Sequence, residues 1–345
     1  MISLMKSIYD TLEKHMKCKT AVLLGAILIG LWCFPGSGKQ VYAEETLPGG
    51  AAGMTESNTV NMSAFPAYLT IKEDTQVYAV PGAVSTVLGV LHAGQPAIAV
   101  DRTENGWLYI YYIGMPAYIP ESTVEEYKIP EQVPWQNMEL QENMKINVLG
   151  DSFTYGDKLS DTTWAFPNVI SAKCGAAVLN KYGLNGSCVA GMNPGKLLDR
   201  YPGMERDADL ILVLGGTNDY GGAAREGTEL GLPGDLTGGT FYGGLNLMMC
   251  GLKQMYPDKE IVFMTPTRRW GYTRKNKNGY TLGQYAEAIR ERAAFWGIRV
   301  IDLYNEPGLD FAGAQAGYLV DGLHPNRTGH ALLGDCVYRR LFENM

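Results

Sequence analysis

Residues 146–152 read Ile-Asn-Val-Leu-Gly-Asp-Ser, and this stretch decides how the larger part of the 345-residue chain folds. Its apolar run stops at Gly150, and the polar pair Asp151 and Ser152 follows at once. A short apolar run that does not alternate in polarity is typical of a strand buried on both faces of a parallel sheet. Because ligands gather at the carboxyl ends of such strands, we expect Ser152 to lie at a functional edge of the sheet.

Similar apolar runs recur further along the chain and indicate a whole sheet rather than a single strand. They occupy residues 177–180, 210–214, 261–264 and 299–302. Residues 282–296 repeat apolar side chains at helical spacing, and 328–342 form a second helix candidate. This alternation predicts an α/β fold of three layers, α/β/α, in which helices cover both faces of a mostly parallel, doubly wound sheet.

Three further polar motifs follow predicted strands in this part of the chain. They are Asn-Gly at 185–186, Gly-Thr-Asn-Asp at 216–219 and Asp-Gly-Leu-His-Pro at 321–325. Each motif alone is common in turns, loops and helix caps. Their occurrence together and in this order favours a catalytic set.

A serine hydroxyl is a weak nucleophile and needs a base within reach. His324 is the favoured base, since Asp321 precedes it by three residues and can orient its imidazole. His330 is the alternative, but we expect it in the first turn of the following helix. Asp151 and Asp219 are expected to hold loops by accepting backbone N–H bonds rather than to enter the chemistry.

The region 145–345 resembles the SGNH (GDSL-type) hydrolase family, through the Gly-Asp-Ser block, Gly186, the Gly-x-Asn-Asp block and the Asp-x-x-His block. The resemblance implies a flavodoxin-like sheet and the activity of a carboxylic ester hydrolase. It implies that Ser152 is the nucleophile, His324 the general base and then acid, and Asp321 its orienter. It also implies an oxyanion hole that combines the backbone N–H groups of Ser152 and Gly186 with the side-chain amide of Asn218.

The amino-terminal 43 residues have the features of a segment that directs export. Lysines precede an uncharged apolar run over 20–34, and Val-Tyr-Ala at 41–43 forms a cleavage site. We expect a signal peptide cleaved after Ala43, with an uncleaved membrane anchor as the alternative. Residues 44–64 are rich in Gly, Ser, Thr and Asn and predict a flexible linker.

Residues 65–127 contain short β-type runs separated by glycine turns, which predict a small β-barrel or sandwich. The segment resembles a bacterial SH3-like domain at Val77-Tyr78, at Gly106-Trp107 and at 117–119. That resemblance implies binding of the cell wall, and a spacer with a simple aromatic core is the alternative. Residues 128–144 are expected to be a connector.

The bulk composition narrows the partners. The formal net charge is -7, and an acidic surface without basic clusters argues against nucleic acid or anionic lipid as the main partner. A membrane is a partner only if the leader stays uncleaved. Cys174, Cys188, Cys250 and Cys336 follow the leader without metal-ligand spacing, and they predict no particular disulfide. No metal or organic cofactor is implied.

Two features are expected to shape specificity. The glycine-rich stretch 220–244 begins just after Asp219 and is predicted to be a loop beside the site. Past the run 261–264, a basic and aromatic group is predicted at the same rim, where an aromatic ring can stack on a sugar: Arg268, Arg269, Trp270 and Tyr272.

The sequence therefore predicts a secreted or cell-surface serine esterase that removes small acyl groups, acetyl above all, from carbohydrate or cell-wall glycan. A lipase or thioesterase acting on longer acyl chains is the alternative within enzymes. A wall-binding surface protein with a vestigial hydrolase domain is the alternative outside them.

Overall fold

The computed structural model describes residues 65–131, 136–176, 178–222 and 226–343. The predicted signal peptide or anchor at 1–43 and the predicted linker at 44–64 lie outside these ranges. Within them, no helix combines the length and the apolar character needed to cross a membrane.

Residues 67–126 form a seven-stranded antiparallel sheet with the order β3-β2-β6-β5-β4-β1-β7. The strands are β1 Ala67–Ile71, β2 Thr75–Tyr78, β3 Val87–Leu91, β4 Pro96–Arg102, β5 Trp107–Tyr112, β6 Met115–Pro120 and β7 Val124–Glu126. In β5, Leu108 and Ile110 are buried while Trp107, Tyr109 and Tyr111 are half-exposed, the alternation expected of a sheet with one face in a core. The predicted small all-β segment is present; its likeness to an SH3-like domain stays a prediction.

A second sheet has five parallel strands in the order β12-β11-β10-β8-β9. They are β8 Lys145–Gly150, β9 Val178–Gly183, β10 Leu210–Leu214, β11 Glu260–Met264 and β12 Arg299–Ile301. The chain first adds β9 on one side of β8 and then adds β10, β11 and β12 on the other side. This reversal of strand order at β8 makes the sheet doubly wound. The predicted flavodoxin-like sheet is confirmed, because β8, the strand that precedes Ser152, pairs with β9 on one side and with β10 on the other.

Seven helices of the described chain surround this sheet. They are α1 Ser152–Tyr155, α2 Phe166–Cys174, α3 Leu197–Arg200, α4 Thr217–Tyr220, α5 Phe241–Met255, α6 Leu282–Trp296 and α7 Arg327–Phe342. Alternate residues of each strand point to opposite faces, so Leu212 packs in the core with α2 and α7 while Val213 packs in the core with α5 and α6. The three layers are those that the sequence predicts.

The glycine-rich stretch 220–244 differs from its prediction as one long loop. Gly243 and Gly244 lie in the first turn of α5, which Thr240 caps by accepting the Gly243 N–H. A Cβ on Gly244 would lie 2.4 Å from Ala190 Cβ. Gly244 therefore lets the helix pack closely against the segment after β9, and the described residues 221–222 and 226–240 of this stretch lie outside helices.

The antiparallel sheet and the α/β region belong to one compact unit. Gln95 Nε2 donates to the backbone carbonyls of Lys253 and Gln254 at 3.1 Å each, at the carboxyl end of α5. Gln254 in turn accepts from the Ile113 N–H at 2.9 Å and donates to Pro96 O at 3.1 Å. The last carbonyls of a helix have no partners within the helix. Gln95 of the antiparallel sheet region supplies the hydrogen-bond donor for two of these carbonyls in α5.

Tyr127 makes a comparable contact at the end of α6. Its hydroxyl donates to Phe295 O at 3.1 Å, and its ring lies 5.1 Å from that of Trp296. One apolar core runs continuously from Leu69 and Ile110 of the antiparallel sheet to Leu245 and Trp296. The segment 65–127 is thus packed on the α/β region and not merely tethered to it.

The four cysteines of the described chain are free and buried. Burial raises the pKa of Cys174 to about 11 and those of Cys188 and Cys336 to about 12, and it raises the pKa of Cys250 as well. Their thiols are therefore protonated packing groups at neutral pH.

Candidate active site

Ser152 lies at the carboxyl end of strand β8 and opens the single turn α1. Asp151 caps this turn, since its Oδ1 accepts the Phe153 N–H at 3.0 Å. The turn also sits tightly on β9: a Cβ on Gly183 would lie 2.3 Å from Tyr155 N. Ser152 is only 3% exposed, and the His324 imidazole lies against its hydroxyl.

The structure brings Ser152, His324 and Asp321 into one hydrogen-bonded chain. His324 Nε2 lies 3.0 Å from Ser152 Oγ, and His324 Nδ1 lies 2.8 Å from Asp321 Oδ2. The other carboxylate oxygen of Asp321 accepts the backbone N–H groups of Leu323 at 3.1 Å and His324 at 2.8 Å. The turn 321–324 therefore fixes both the carboxylate and the imidazole.

These contacts decide the charge of Asp321. Partial burial would raise the pKa of this carboxyl, but the His324 N–H, the His324 imidazole and the Leu323 N–H lower it below its usual value. Asp321 is ionised at neutral pH, so Nδ1 of the imidazole carries the proton and Nε2 is the atom that can accept one.

His330, the alternative base, lies in the first turn of α7 as predicted. It is fully buried, and its Nδ1 accepts the Phe166 N–H at 3.2 Å. Burial lowers the pKa of His330 to about 4. A neutral imidazole bonded to the start of α2 is a structural group, and the geometry favours His324.

The two other predicted oxyanion donors follow β9 and β10. Gly186 is exposed in the loop after β9 with φ +73°, a conformation that favours glycine. Asn218 lies in α4, and its Nδ2 donates to Ser187 O at 3.0 Å and to Asp151 Oδ2 at 3.3 Å. Asn218 is therefore held between the Gly186 loop and the residue before Ser152.

Asp151 and Asp219 are fully buried carboxyls beside these donors. Burial, with Asp219 nearby, raises the pKa of Asp151 to about 7, although the Phe153 N–H and Arg200 oppose the rise. Burial raises the pKa of Asp219 to about 6, although this carboxyl accepts the Val189 N–H at 2.8 Å and the Ala190 N–H at 3.2 Å. Both carboxyls hold loops through backbone N–H bonds, which is the role that the sequence predicts.

Arg200, at the end of α3, is a residue that the sequence analysis misses. Its guanidinium donates to Gly150 O, Tyr182 O and Gly195 O at 2.8 Å each and to Ser187 Oγ at 3.0 Å. It therefore joins the ends of β8 and β9 to the loop that contains Gly186. No motif marks this arginine, because three of its four partners are backbone carbonyls, which any sequence provides.

Of the four residues predicted at the rim, the structure offers one to solvent beside the site. The Trp270 side chain is exposed, with the residue 70% accessible. Its backbone N–H donates to Gly322 O at 3.1 Å, next to Asp321. Arg269 is buried, donates to Thr217 Oγ1 at 2.9 Å and stacks on Tyr220. Arg268 packs over Tyr272 and Tyr304. In the described ranges, no cluster of three or more His, Cys, Asp or Glu side chains has an arrangement suited to a metal ion.

The loop before α5 packs along the same edge of the sheet. Thr228 N donates to Asp219 O at 2.8 Å, and a β-bridge joins Glu229 to Thr240. Its described residues therefore support the segment around Ala190 and α4. They act on the site through Asp219 rather than as a free cover.

Comparison with known proteins agrees with this architecture. Residues 148–332 match the GDSL-like Lipase/Acylhydrolase family. No curated protein matches the chain. A solved structure of a Lactobacillus plantarum protein is 32% identical over 56% of this chain and 94% of its own, with a TM-score of 0.51.

Two other solved structures are similar to a comparable share of the chain. One is 26% identical over 57% of this chain and 95% of its own, with a TM-score of 0.52. The other, a possible lipase from Chitinophaga pinensis, is 20% identical over 56% of this chain and 96% of its own, with a TM-score of 0.47. The family match spans more than half of the sequence and includes every motif from Ser152 to His324, so this chain belongs to the GDSL-like lipase/acylhydrolase family.

Proposed function

We propose that this protein is a serine esterase in which Ser152, His324 and Asp321 act as a catalytic triad. The observation that carries the proposal is the continuous chain from Ser152 Oγ through His324 to Asp321, with contacts of 3.0 and 2.8 Å. These are hydrogen-bonding distances, and the middle group can take a proton from one neighbour while the other stabilises the resulting charge.

The reaction proceeds in two acyl transfers. His324 Nε2 takes the Ser152 hydroxyl proton as Oγ bonds to the ester carbonyl carbon, and the imidazolium then gives that proton to the departing alcohol oxygen. Water next attacks the acyl-serine, with Nε2 again accepting its proton. The carboxylic acid leaves, and Ser152 regains its hydroxyl proton from the imidazolium.

The oxyanion of each tetrahedral intermediate is proposed to bind the N–H groups of Ser152 and Gly186 and the Asn218 amide. The hydrogen bond from Asn218 Nδ2 to Ser187 O supports this arrangement, because it holds the amide beside the Gly186 loop. The second amide hydrogen reaches Asp151 Oδ2 only at 3.3 Å, and the oxyanion is proposed to replace that acceptor. Donors held in advance at this position lower the barrier without reorganisation, and the loss of one costs about 100- to 1000-fold in rate.

The proposed substrate is an ester of a small acyl group, acetyl above all, on carbohydrate. The exposed ring of Trp270 beside Asp321 offers a surface on which a sugar can stack.

Export and wall binding are parts of the same proposal. The apolar leader motivates the first. For the second, Tyr109 and Tyr118 lie 5.4 Å apart on the half-exposed face of β5 and β6, a face on which a glycan can stack. Retention on purified peptidoglycan tests this role, and Tyr109→Ala with Tyr118→Ala is expected to weaken it; unchanged retention contradicts it.

Hydrolysis of p-nitrophenyl acetate by the full chain tests the enzyme. Ser152→Ala is expected to lower kcat/KM by at least about 10⁴-fold, since the nucleophile is lost. Ser160→Ala, an exposed serine in the following segment, serves as the control and keeps the wild-type rate. Turnover that does not depend on Ser152 would show that the hydrolase role is wrong and would favour a binding protein.

Acyl length separates the two enzyme classes. The wild-type chain is expected to hydrolyse p-nitrophenyl acetate with a higher kcat/KM than p-nitrophenyl octanoate, because the acid part of its proposed substrate is acetyl. A strong preference for octanoate would contradict the proposed carbohydrate substrate and favour a lipase or thioesterase.

A further inference from the structure

Asp157 places a second carboxylate next to His324, on the side opposite Asp321. Its Oδ2 lies 3.6 Å from His324 Nε2, the same nitrogen that lies 3.0 Å from Ser152 Oγ. In the proposed mechanism Nε2 delivers the proton to the departing alcohol. Asp157 therefore borders the place where the alcohol part of the ester must lie.

The backbone holds Asp157 in this position. The N–H groups of Gly156 and Asp157 both donate to the carbonyl oxygen of Ser152, at 2.9 Å each. Lys158 follows with φ +66°, a left-handed conformation that a residue with a side chain keeps where the surroundings enforce it. The turn thus ties Asp157 to the same residue that carries the nucleophile.

The carboxylate is also accessible to a substrate. The Asp157 side chain is 23% exposed, and its charged neighbour from the chain, Lys158 Nζ, lies 3.5 Å from Oδ2 with the lysine side chain about half-exposed. A carboxylate accepts hydrogen bonds and donates none when ionised. What it can recognise on the alcohol is therefore a hydrogen-bond donor, and it repels an anionic group.

We propose that Asp157 selects esters whose alcohol carries a free hydroxyl on the carbon next to the esterified one, as in a partly acetylated sugar. Two oxygens on adjacent carbons are separated by about one hydrogen-bond length, which is also the scale of the gap from Nε2 to Oδ2. A leaving oxygen bonded to Nε2 then directs the neighbouring hydroxyl to Asp157. This inference rests on the proposed function and narrows its substrate class.

Two matched substrates test the selection in the full chain: a methyl glycoside monoacetate with a free hydroxyl beside the ester, and the same ester with that hydroxyl replaced by hydrogen. The wild type is expected to prefer the hydroxyl compound by about 10- to 100-fold in kcat/KM, the range for a hydrogen bond to a charged group. Asp157→Asn keeps a neutral acceptor oxygen, so it is expected to lower this ratio by about tenfold, the difference between a hydrogen bond to a charged group and one to a neutral group. Asp161→Asn, a nearby exposed carboxylate that caps the turn at 162–164, is expected to keep the wild-type ratio.

The preference ratio, rather than the rate, decides the outcome. A wild-type preference that persists unchanged in Asp157→Asn overturns the inference, as does a wild type that does not distinguish the two esters. Should Asp157→Asn fail to fold, Asp157→Ser carries the comparison. Absence of any Ser152-dependent hydrolysis of these esters and of p-nitrophenyl acetate is a separate result, which refutes the proposed function itself.

Discussion

Asp151 is a buried carboxyl directly before Ser152, and its protonation links the site to stability. Its pKa is raised to about 7 in the folded protein, against about 3.9 for an unperturbed aspartate. The folded state therefore binds this proton more tightly than the unfolded state. The stabilisation is complete below about pH 4 and is lost as the pH rises to about 7.

The wild type loses the stability linked to the Asp151 proton as the pH rises, whereas Asp151→Asn has no such proton to lose. We therefore expect the variant to gain stability relative to the wild type between pH 4.5 and 7.5, by about 1.4 kcal/mol for each pH unit between the unfolded and the folded pKa. Urea unfolding at several pH values measures the difference. Asp335→Asn is the control: Lys173 lowers the pKa of Asp335, so its ionisation lies below this range and its curve should parallel the wild type's. A parallel curve for Asp151→Asn would contradict the raised pKa.

Asp321→Asn tests the orienter. The side-chain amide of asparagine can donate to Nδ1 as well as accept from it, so it no longer fixes the imidazole tautomer. We therefore expect kcat to fall by about 10²- to 10⁴-fold with a smaller change in KM. Steady-state kinetics with p-nitrophenyl acetate give both constants. Asp310→Asn, at a turn outside the site, should leave them unchanged, and equal kinetics for both variants would remove Asp321 from the triad.

At the residue scale, the catalytic candidates that lie in short motifs could be identified from the sequence. The triad candidates meet in the structure because a strand end places Ser152 and a four-residue turn places Asp321 and His324. The strand end and the turn can each be predicted from a short stretch of sequence. Arg200 and Asp157 could not be found, because their contacts join segments far apart: Arg200 reaches Gly150, 50 residues earlier.

At the scale of elements, α3 deserves a test through Arg200. Arg200→Lys keeps the charge but cannot make four directed hydrogen bonds, so the Gly186 loop should shift relative to Ser152. We expect kcat to fall by roughly 10- to 100-fold, the scale of a misplacement of about 1 Å, with KM changing less.

The split between kcat and KM distinguishes positioning from general loss of structure. Arg206→Lys, an exposed arginine shortly after α3, is the matched control and should behave as the wild type. A variant Arg200→Lys that is less stable but has the wild-type kcat would assign Arg200 to structure alone.

The longer elements were predictable and the single turns were not. Helix 282–296 and strand 210–214 have the bounds that the sequence predicts, since hydrophobic period and length define them. α1 and α4 have four residues each, too few for a period to emerge. Glycine is unfavourable inside a helix, but Gly243 packs against the Thr237 backbone and Gly244 against Ala190, and this tertiary packing overrides the local preference.

At the scale of the whole molecule, the antiparallel sheet completes the ends of α5 and α6. Gln254→Leu would leave the Ile113 N–H and the carbonyls of Pro96 and Tyr111 without this partner in a buried interface. We expect a loss of roughly 2 to 4 kcal/mol in unfolding free energy. Chemical denaturation measures it, with Gln141→Leu at an exposed position as the control; a loss as small as the control's would contradict the interface.

This docking is the part of the fold that sequence analysis could not reach. Gln95 and Gln254 are separated by 159 positions, and neither belongs to a motif. The sequence therefore describes 65–127 and 145–345 as separate units joined by a connector, whereas their cores are continuous.

The four buried thiols can report the order in which parts of the molecule open. Cys250 lies at the junction with the antiparallel sheet, Cys188 beside the Gly186 loop, and Cys174 and Cys336 between α2, α7 and the sheet. A thiol reagent can modify each one only after its own layer opens. Mapping the order in which these cysteines react would therefore show whether the two sheets separate before the catalytic edge loosens, without adding a probe to the protein.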